Sequence, residues 1–251
     1  MKPLIRLEHI TKTFGRITAL EDICLELHPN EVVGLIGDNG AGKSTLVSII
    51  AGVLRADSGR LAIKEHEMDL RRYSVSRARS FGIETVHQRR ALGDQQPIWR
   101  NLFMGRHRTN RLGMIKHREE KQSAMAVLKD FMGLTGVGIH PDSPVSKLSG
   151  GERQGLAIGR AVYFDSDIVI LDEPFNALAI NEVQKVLKFI RRLKQAKKAV
   201  IIISHNLQQI YDVSDRFVLM DRGRIINHIM KSDTSLDALT RILMKIAGTT
   251  P

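Results

Sequence analysis

Gly37-Asp38-Asn39-Gly40-Ala41-Gly42-Lys43-Ser44-Thr45 is a glycine, four residues, then Gly-Lys-Ser-Thr, the spacing of a loop that wraps its backbone around phosphate. The flanking residues supply the setting such a loop needs. Glu31-Val32-Val33-Gly34-Leu35-Ile36 predicts a short buried strand, and Lys43 to Ala51 predicts a helix ending near Gly52. The glycines let backbone N–H groups turn inward, and the helix N-terminus adds the positive end of its dipole. Lys43 is expected to bridge the β- and γ-phosphates and Ser44 to offer its hydroxyl to Mg²⁺. A plain glycine-rich turn between strand and helix has no need of Lys and Ser at these offsets.

Further along, Asp167-Ile168-Val169-Ile170-Leu171-Asp172-Glu173-Pro174 is an apolar run that ends in two carboxylates. A parallel strand buried on both faces needs such a run, and ligands bind off the C-terminal edge of parallel sheets. Asp172 is then expected to hold Mg²⁺ through water and Glu173 to polarise an attacking water. Between the two motifs stands Leu148-Ser149-Gly150-Gly151. It precedes a helix expected from about Glu152 to Tyr163, so Ser149 offers an N-cap hydroxyl and the glycines offer free amides to an anion. One chain therefore carries two anion sites.

These motifs, in this order, resemble the nucleotide-binding subunit of ATP-binding cassette (ABC) transporters over nearly the whole chain. The resemblance adds roles. Phe14, before Gly15, matches the ring that stacks on adenine, and Gln88, in Ile83-Glu84-Thr85-Val86-His87-Gln88, matches the glutamine that senses Mg²⁺ and water and faces the membrane partner. Ser149, Gly150 and Gly151 match the signature that binds the γ-phosphate of ATP held by an opposite subunit, and His205 matches the histidine that contacts that phosphate and helps position the water. The implied fold is α/β: a RecA-like mixed, mainly parallel sheet, an N-terminal antiparallel β subdomain and an inserted α-helical subdomain. It further implies one domain over 1–251, with an α/β core at 1–88 and 160–251 and a helical part at 89–159. In the family two subunits pack head to tail, so an ATP-dependent homodimer is expected, its two-fold interface supplying both halves of each site from one sequence.

Composition bounds the reading. No apolar run reaches the roughly 18 to 20 residues that span a bilayer, and the first residues do not begin a secretory signal. The expectation is a peripheral protein at the cytoplasmic face of the inner membrane, bound there through permease subunits. Cys24 is the single cysteine, which excludes an intramolecular disulfide, and its place between Ile23 and Leu25 suggests a small packed residue. Of the net charge of +11, residues 60–121 hold +8, from 15 Lys/Arg against 7 Asp/Glu. That excess fits a solvated basic face, an anionic leaflet nearby or nucleic acid. No zinc spacing or recognition-helix pattern supports nucleic acid, and 12 aromatic residues are few for base stacking, so no nucleic acid partner is expected.

The rest of the chain follows the same plan. Ile23, Leu25 and Leu27 alternate with polar neighbours as in a strand, and strand signals vanish from Arg89 to Ser146. Ala124, Val127, Leu128, Phe131 and Met132 form a helical apolar stripe ended by Gly133. After Asp172, a helix near Glu182 to Lys194 leads to the buried parallel strand Lys198 to Ile203, and Asp221-Arg222-Gly223 turns a late strand pair. Some positions depart from the family. Glu152 stands where Gln is commoner, Gly155 and Gly159 sit within the signature helix at about 1 kcal/mol each against Ala, and Ala179 replaces an Asp that helps couple the two ATP sites. Gly82 to Gln88 and Asn101 to Arg106 look most like bacterial importers of monosaccharides such as ribose or xylose, which work with a permease and a separate substrate-binding protein. The alternatives are a cassette for another small solute, a soluble ABC ATPase acting on nucleic acid or ribosomes, and a regulatory cassette without turnover.

Overall fold

Alternating apolar and polar residues give the chain its opening strands, β1 (Ile5–Phe14) and β2 (Ile17–Leu27), in a computed structural model that describes residues 2–86, 92–131, 140–176 and 178–246. There follow β3 (Val32–Ile36), α1 (Lys43–Ile50), β4 (Ser58–Ile63), β5 (His66–Glu67), α2 (Val75–Ser80) and β6 (Ile83–Val86). The middle of the chain is helical, with α3 (Ile98–Phe103), α4 (His117–Ala126) and α5 (Gly150–Tyr163). Strands then return, as β7 (Ile168–Asp172), α6 (Ile180–Gln195), β8 (Ala199–Ile203), α7 (Leu207–Val213), β9 (Arg216–Asp221), β10 (Arg224–Met230) and α8 (Leu236–Ile246).

Two sheets result. The first is antiparallel, in the order β2-β1-β4-β5, and the second runs β10-β9-β3-β8-β7-β6, parallel except for the β9–β10 hairpin. Strands β3 and β8 are apolar throughout, and β7 is apolar up to its last residue, Asp172, because both of their faces are covered. Val33, Leu35, Ile168, Ile170, Ile201 and Ile203 face a core shared with the antiparallel sheet and α1. Their neighbours Val32, Val169, Leu171, Val200 and Ile202 face a second core under α6 and α7. Helix α6 contributes Val183, Val186, Leu187, Ile190 and Leu193 at helical spacing, and each large side chain fully buried there contributes about 1.5–3 kcal/mol.

The helical stretch has a third core, built from Ile98, Trp99, Leu102, Phe103, Ala124, Val127, Leu128, Val145 and Leu148 together with Leu156 of α5. Helix α5 buries Ala157, Ile158 and Ala161 in the second core instead, so it belongs to both. The expected stripe is not one regular helix. Helix α4 ends at Ala126 and a wide π-type turn, Val127–Phe131, sets Val127 against Gly159, where an added Cβ would stand 2.7 Å from Val127 Cγ1. That contact accounts for Gly159, whereas nothing in the structure explains Gly155. Met132, Gly133 and the side chain of Phe131 lie outside the described residues.

One expectation is corrected here. Cys24 is exposed, not packed. Alternation puts it on the solvent face of β2, where its sulfur accepts the His9 N–H at 3.3 Å. Among the described residues, no helix is long and apolar enough to cross a membrane.

Candidate active site

Three strand ends meet at one edge. Leu35 of β3 pairs with Ile203 of β8, and Ile203 pairs with Asp172 of β7, so the three parallel strands finish level. The chain leaves β3 into the loop at 37–42, leaves β7 at Glu173 and leaves β8 at Ser204-His205. Edge alignment is thus what brings residues distant in sequence to one place, at the end of the sheet where ligands bind.

The loop is held by close approaches that only glycine permits. A Cβ at Gly37 would lie 2.2 Å from the Met220 carbonyl oxygen. Gly42 has φ +100 and its absent Cβ would lie 2.6 Å from the Ala19 carbonyl oxygen on β2. Gly42 also caps α1 without any side chain to accept its first amides, which leaves that helix end open to an anion. Lys43 is buried and folds back over the loop, donating to the carbonyls of Gly37 at 2.6 Å and Asp38 at 2.8 Å. Burial lowers its ammonium pKa, against the raising charges of Glu173, Asp38 and Asp172. Asp38, Asn39, Gly40 and Ser44 are exposed, Ala41 is buried and Thr45 is half-buried.

Opposite the loop, Glu173 adopts a left-handed backbone, φ 51, a conformation rare for a non-glycine residue and common at functional sites. Its N–H donates to the Ile203 carbonyl at 2.9 Å, extending the sheet by one residue. Its carboxylate is buried. Oε1 stands 3.0 Å from His205 Nε2, and Oε2 accepts the His205 N–H at 3.4 Å. Burial raises the Glu173 carboxyl above its usual range, with nearby Asp172 adding to the rise, while His205 and Lys43 pull it down. A carboxylate of raised basicity facing an exposed imidazole suits proton transfer from water.

Phe14 is 46% exposed at the end of β1. Asp57 steadies it from behind, accepting from Lys12 Nζ at 2.7 Å and from the Thr13 N–H and hydroxyl at 2.7 and 2.8 Å. These bonds, led by that from Lys12, hold the Asp57 carboxyl down to about 2. Gln88 lies outside the described residues. The strand that leads to it, β6, pairs Val86 with Leu171 and so ends at the same edge.

The signature begins α5 two residues earlier than the sequence suggests. Ser149 is its N-cap: Oγ accepts the Glu152 N–H at 3.2 Å, and Glu152 Oε2 accepts the Ser149 N–H at 2.8 Å. Glu152 thus closes a reciprocal capping box, a fuller role than the dipole alone. Sequence reasoning missed two groups. Glu182 on α6 accepts from the Gly151 N–H at 3.0 Å and the Ser149 hydroxyl at 3.3 Å, and the buried Glu84 on β6 faces Arg106 at 3.1 Å, Arg160 at 3.5 Å and Arg79 at 3.9 Å. Glu84 was discoverable only as a carboxylate inside an apolar strand pattern. Beside this cluster a cleft of about 250 Å³, lined by Val53, Val75, Arg79, Thr85, Met104 and Arg160 among others, opens between the β core and the helical part.

The profile of the family described as ABC transporter matches residues 20–176. The xylose/arabinose import ATP-binding protein XylG of Sulfolobus acidocaldarius is 39% identical over 247 residues, which are 98% of this chain and 96% of that protein. The ribose import ATP-binding protein RbsA 1 of Rhizobium meliloti is 36% identical over 97% of this chain, which spans 47% of that protein. A nucleotide-free ATP-binding cassette from an ABC transporter shares the fold with a TM-score of 0.82 at 24% identity, over 98% of this chain and 99% of that one. With its phosphate loop, its paired carboxylates and its matched length, the chain belongs to the ABC transporter family, as one of its ATPase cassettes.

Proposed function

We propose that this chain is the ATP-hydrolysing subunit of a monosaccharide importer, working as a homodimer beneath a permease at the cytoplasmic face of the membrane. The observation that carries the chemistry is the buried Glu173 paired with His205 at a strand end level with the phosphate loop. The likeness to proteins named for xylose/arabinose and ribose import supports the cargo.

Each residue then has a task. The loop amides at 37–45 and Lys43 hold the β- and γ-phosphates, with Lys43 exchanging the Gly37 and Asp38 carbonyls for phosphate oxygens. Phe14 stacks on adenine. Mg²⁺ fits the donors present, since the Ser44 hydroxyl is exposed and the Asp172 carboxylate lies near enough for its charge to act on Lys43, and oxygen donors are what this cation takes. When bound it neutralises charge building up on the phosphates, with Gln88 as a further contact. Glu173 takes a proton from water as the water oxygen bonds to the γ-phosphorus. The bond from that phosphorus to the bridging oxygen breaks, and ADP and phosphate leave. His205 orients the water and meets the γ-phosphate. Ser149, Gly150 and Gly151 reach the γ-phosphate held by the other subunit.

The cleft beside Glu84 is where a permease segment docks, its rims offered by Val53 and Met104, 53% and 37% exposed. Cargo arrives at the permease from a separate binding protein. A nucleic acid partner is disfavoured by the fate of the basic segment. Arg79 and Arg106 turn onto Glu84, and Arg77, Arg106 and Arg108 lie over the rings of Phe81, Phe164 and Tyr163.

Mixing two inert variants tests the shared site. Lys43→Ala spoils one half and Ser149→Arg the other, so mixed dimers keep one intact site in two. An equimolar mixture should recover about a quarter of wild-type ATPase activity, from random two-fold pairing. No recovery, with mixed dimers present, would sink the shared-site reading.

A further inference from the structure

Two of the signature donors, the Ser149 hydroxyl and the Gly151 N–H, are already occupied by the chain's own Glu182. Ser149 Oγ accepts from the Glu152 N–H, so its single hydrogen is left to donate, and it points at Glu182 Oε1, 3.3 Å away. The Gly151 N–H donates to the same oxygen at 3.0 Å. The other oxygen, Oε2, accepts the Ala179 N–H at 3.1 Å, which fixes the carboxylate in place. A Cβ at Gly151 would stand 2.3 Å from Oε1 and 2.4 Å from Cδ, so the carboxylate rests directly on the glycine.

A carboxylate and a phosphate oxygen ask the same thing of a helix N-terminus. They cannot both have it. We infer that Glu182 is an internal stand-in for the γ-phosphate, a positioning residue that caps the signature in the free protomer and must swing away before the partner's ATP can engage Ser149 and Gly151. The inference rests on the shared-site reading above. It gives Ala179 a physical consequence as well. Ala179 has no side-chain acceptor for the first amides of α6, so this corner is closed from one side only, by Glu182 Oε2 accepting the Ala179 N–H, and that bond ties the loop after Glu173 to the signature of the same chain. Closure of the dimer therefore trades charge-assisted bonds within one protomer for bonds across two. The trade holds the free protomer apart until nucleotide arrives.

The test uses the Glu173→Gln chain, in which slow turnover lets ATP-bound dimer accumulate, and follows dimer mass against ATP concentration by light scattering. Adding Glu182→Gln should lower the ATP concentration for half-maximal dimer by about tenfold, the scale of hydrogen bonds to a charged group. Glu182→Ala should lower it at least as far. Amide exchange at Gly151 reports the contact without ATP: it should be protected in the parent and fast in Glu182→Ala, while amides of α5 beyond Leu156 keep their protection. An unchanged or raised ATP requirement, or Gly151 exchange equal in parent and variant, overturns the inference. If the Glu173→Gln parent itself stays monomeric at saturating ATP, the shared-site reading fails instead.

Discussion

Glu173 combines burial, a left-handed backbone and a raised carboxyl pKa. The folded chain holds a proton there more tightly than the unfolded chain does. The stability this group contributes is present below the ordinary carboxylate range and is lost as pH rises through the raised value. At neutral pH an ionised Glu173 is thus a cost, which Glu173→Gln removes. We expect that variant to melt higher than wild type at pH 7, with the gain shrinking as pH falls through the carboxylate range. Hydrolysis should fall about 10²- to 10⁴-fold, the usual contribution of a positioned base. A variant no more stable than wild type at pH 7 would contradict the assigned direction of the pKa shift. The phosphate loop, Asp172 with Glu173, and the signature were legible as residues because each is contiguous in sequence and keeps its own spacing. Cys24 was not, because alternation assigns a side of the strand while residue type only suggests packing.

Elements were legible where one period ran undisturbed, as in α6 and in β3, β7 and β8. The stripe at Ala124, Val127 and Leu128 is buried as its spacing predicts, whereas periodicity cannot register the one extra residue of the turn at Val127–Phe131. Gly159 shows what that turn demands. Gly159→Ala places a methyl 2.7 Å from a stiff β-branched side chain, and overpacking of this sort costs about 1–3 kcal/mol, more than the roughly 1 kcal/mol gained in helix propensity. Urea unfolding should show a net loss. Val127→Ala added to Gly159→Ala should recover part of it, and strictly additive losses would show that the two residues do not touch energetically.

Across the whole molecule the decisive contacts join distant stretches, and no local pattern announces them. Glu84 meets arginines from α2, from the segment after α3 and from α5, and Glu182 meets Gly151 across 31 positions. Burial lowers the pKa of Arg160 and of Arg106, with Glu84 opposing the shift in each. Glu84→Gln leaves those cations without their counter-charge, and removing one partner of a buried pair costs about 3–5 kcal/mol. Denaturant titration should show a loss of that order, together with early unfolding of the helical part. Glu84→Gln with Arg160→Met should be less unstable than Glu84→Gln alone. If the double variant is the weaker of the two, the cluster is not held by charge.

Helix α5 is pinned by Arg160 to Glu84 and the Met104 carbonyl, near the end away from Ser149. At 1.5 Å per residue, Gly150 lies about 15 Å from that fulcrum. A tilt of about 10° sweeps it through roughly 2.6 Å, close to the length of one hydrogen bond. In the function proposed above, the helix is a lever with the phosphate contact at its tip. On the proposed shared site, a rotation of that size would make or break the bond between one protomer's signature and its partner's nucleotide.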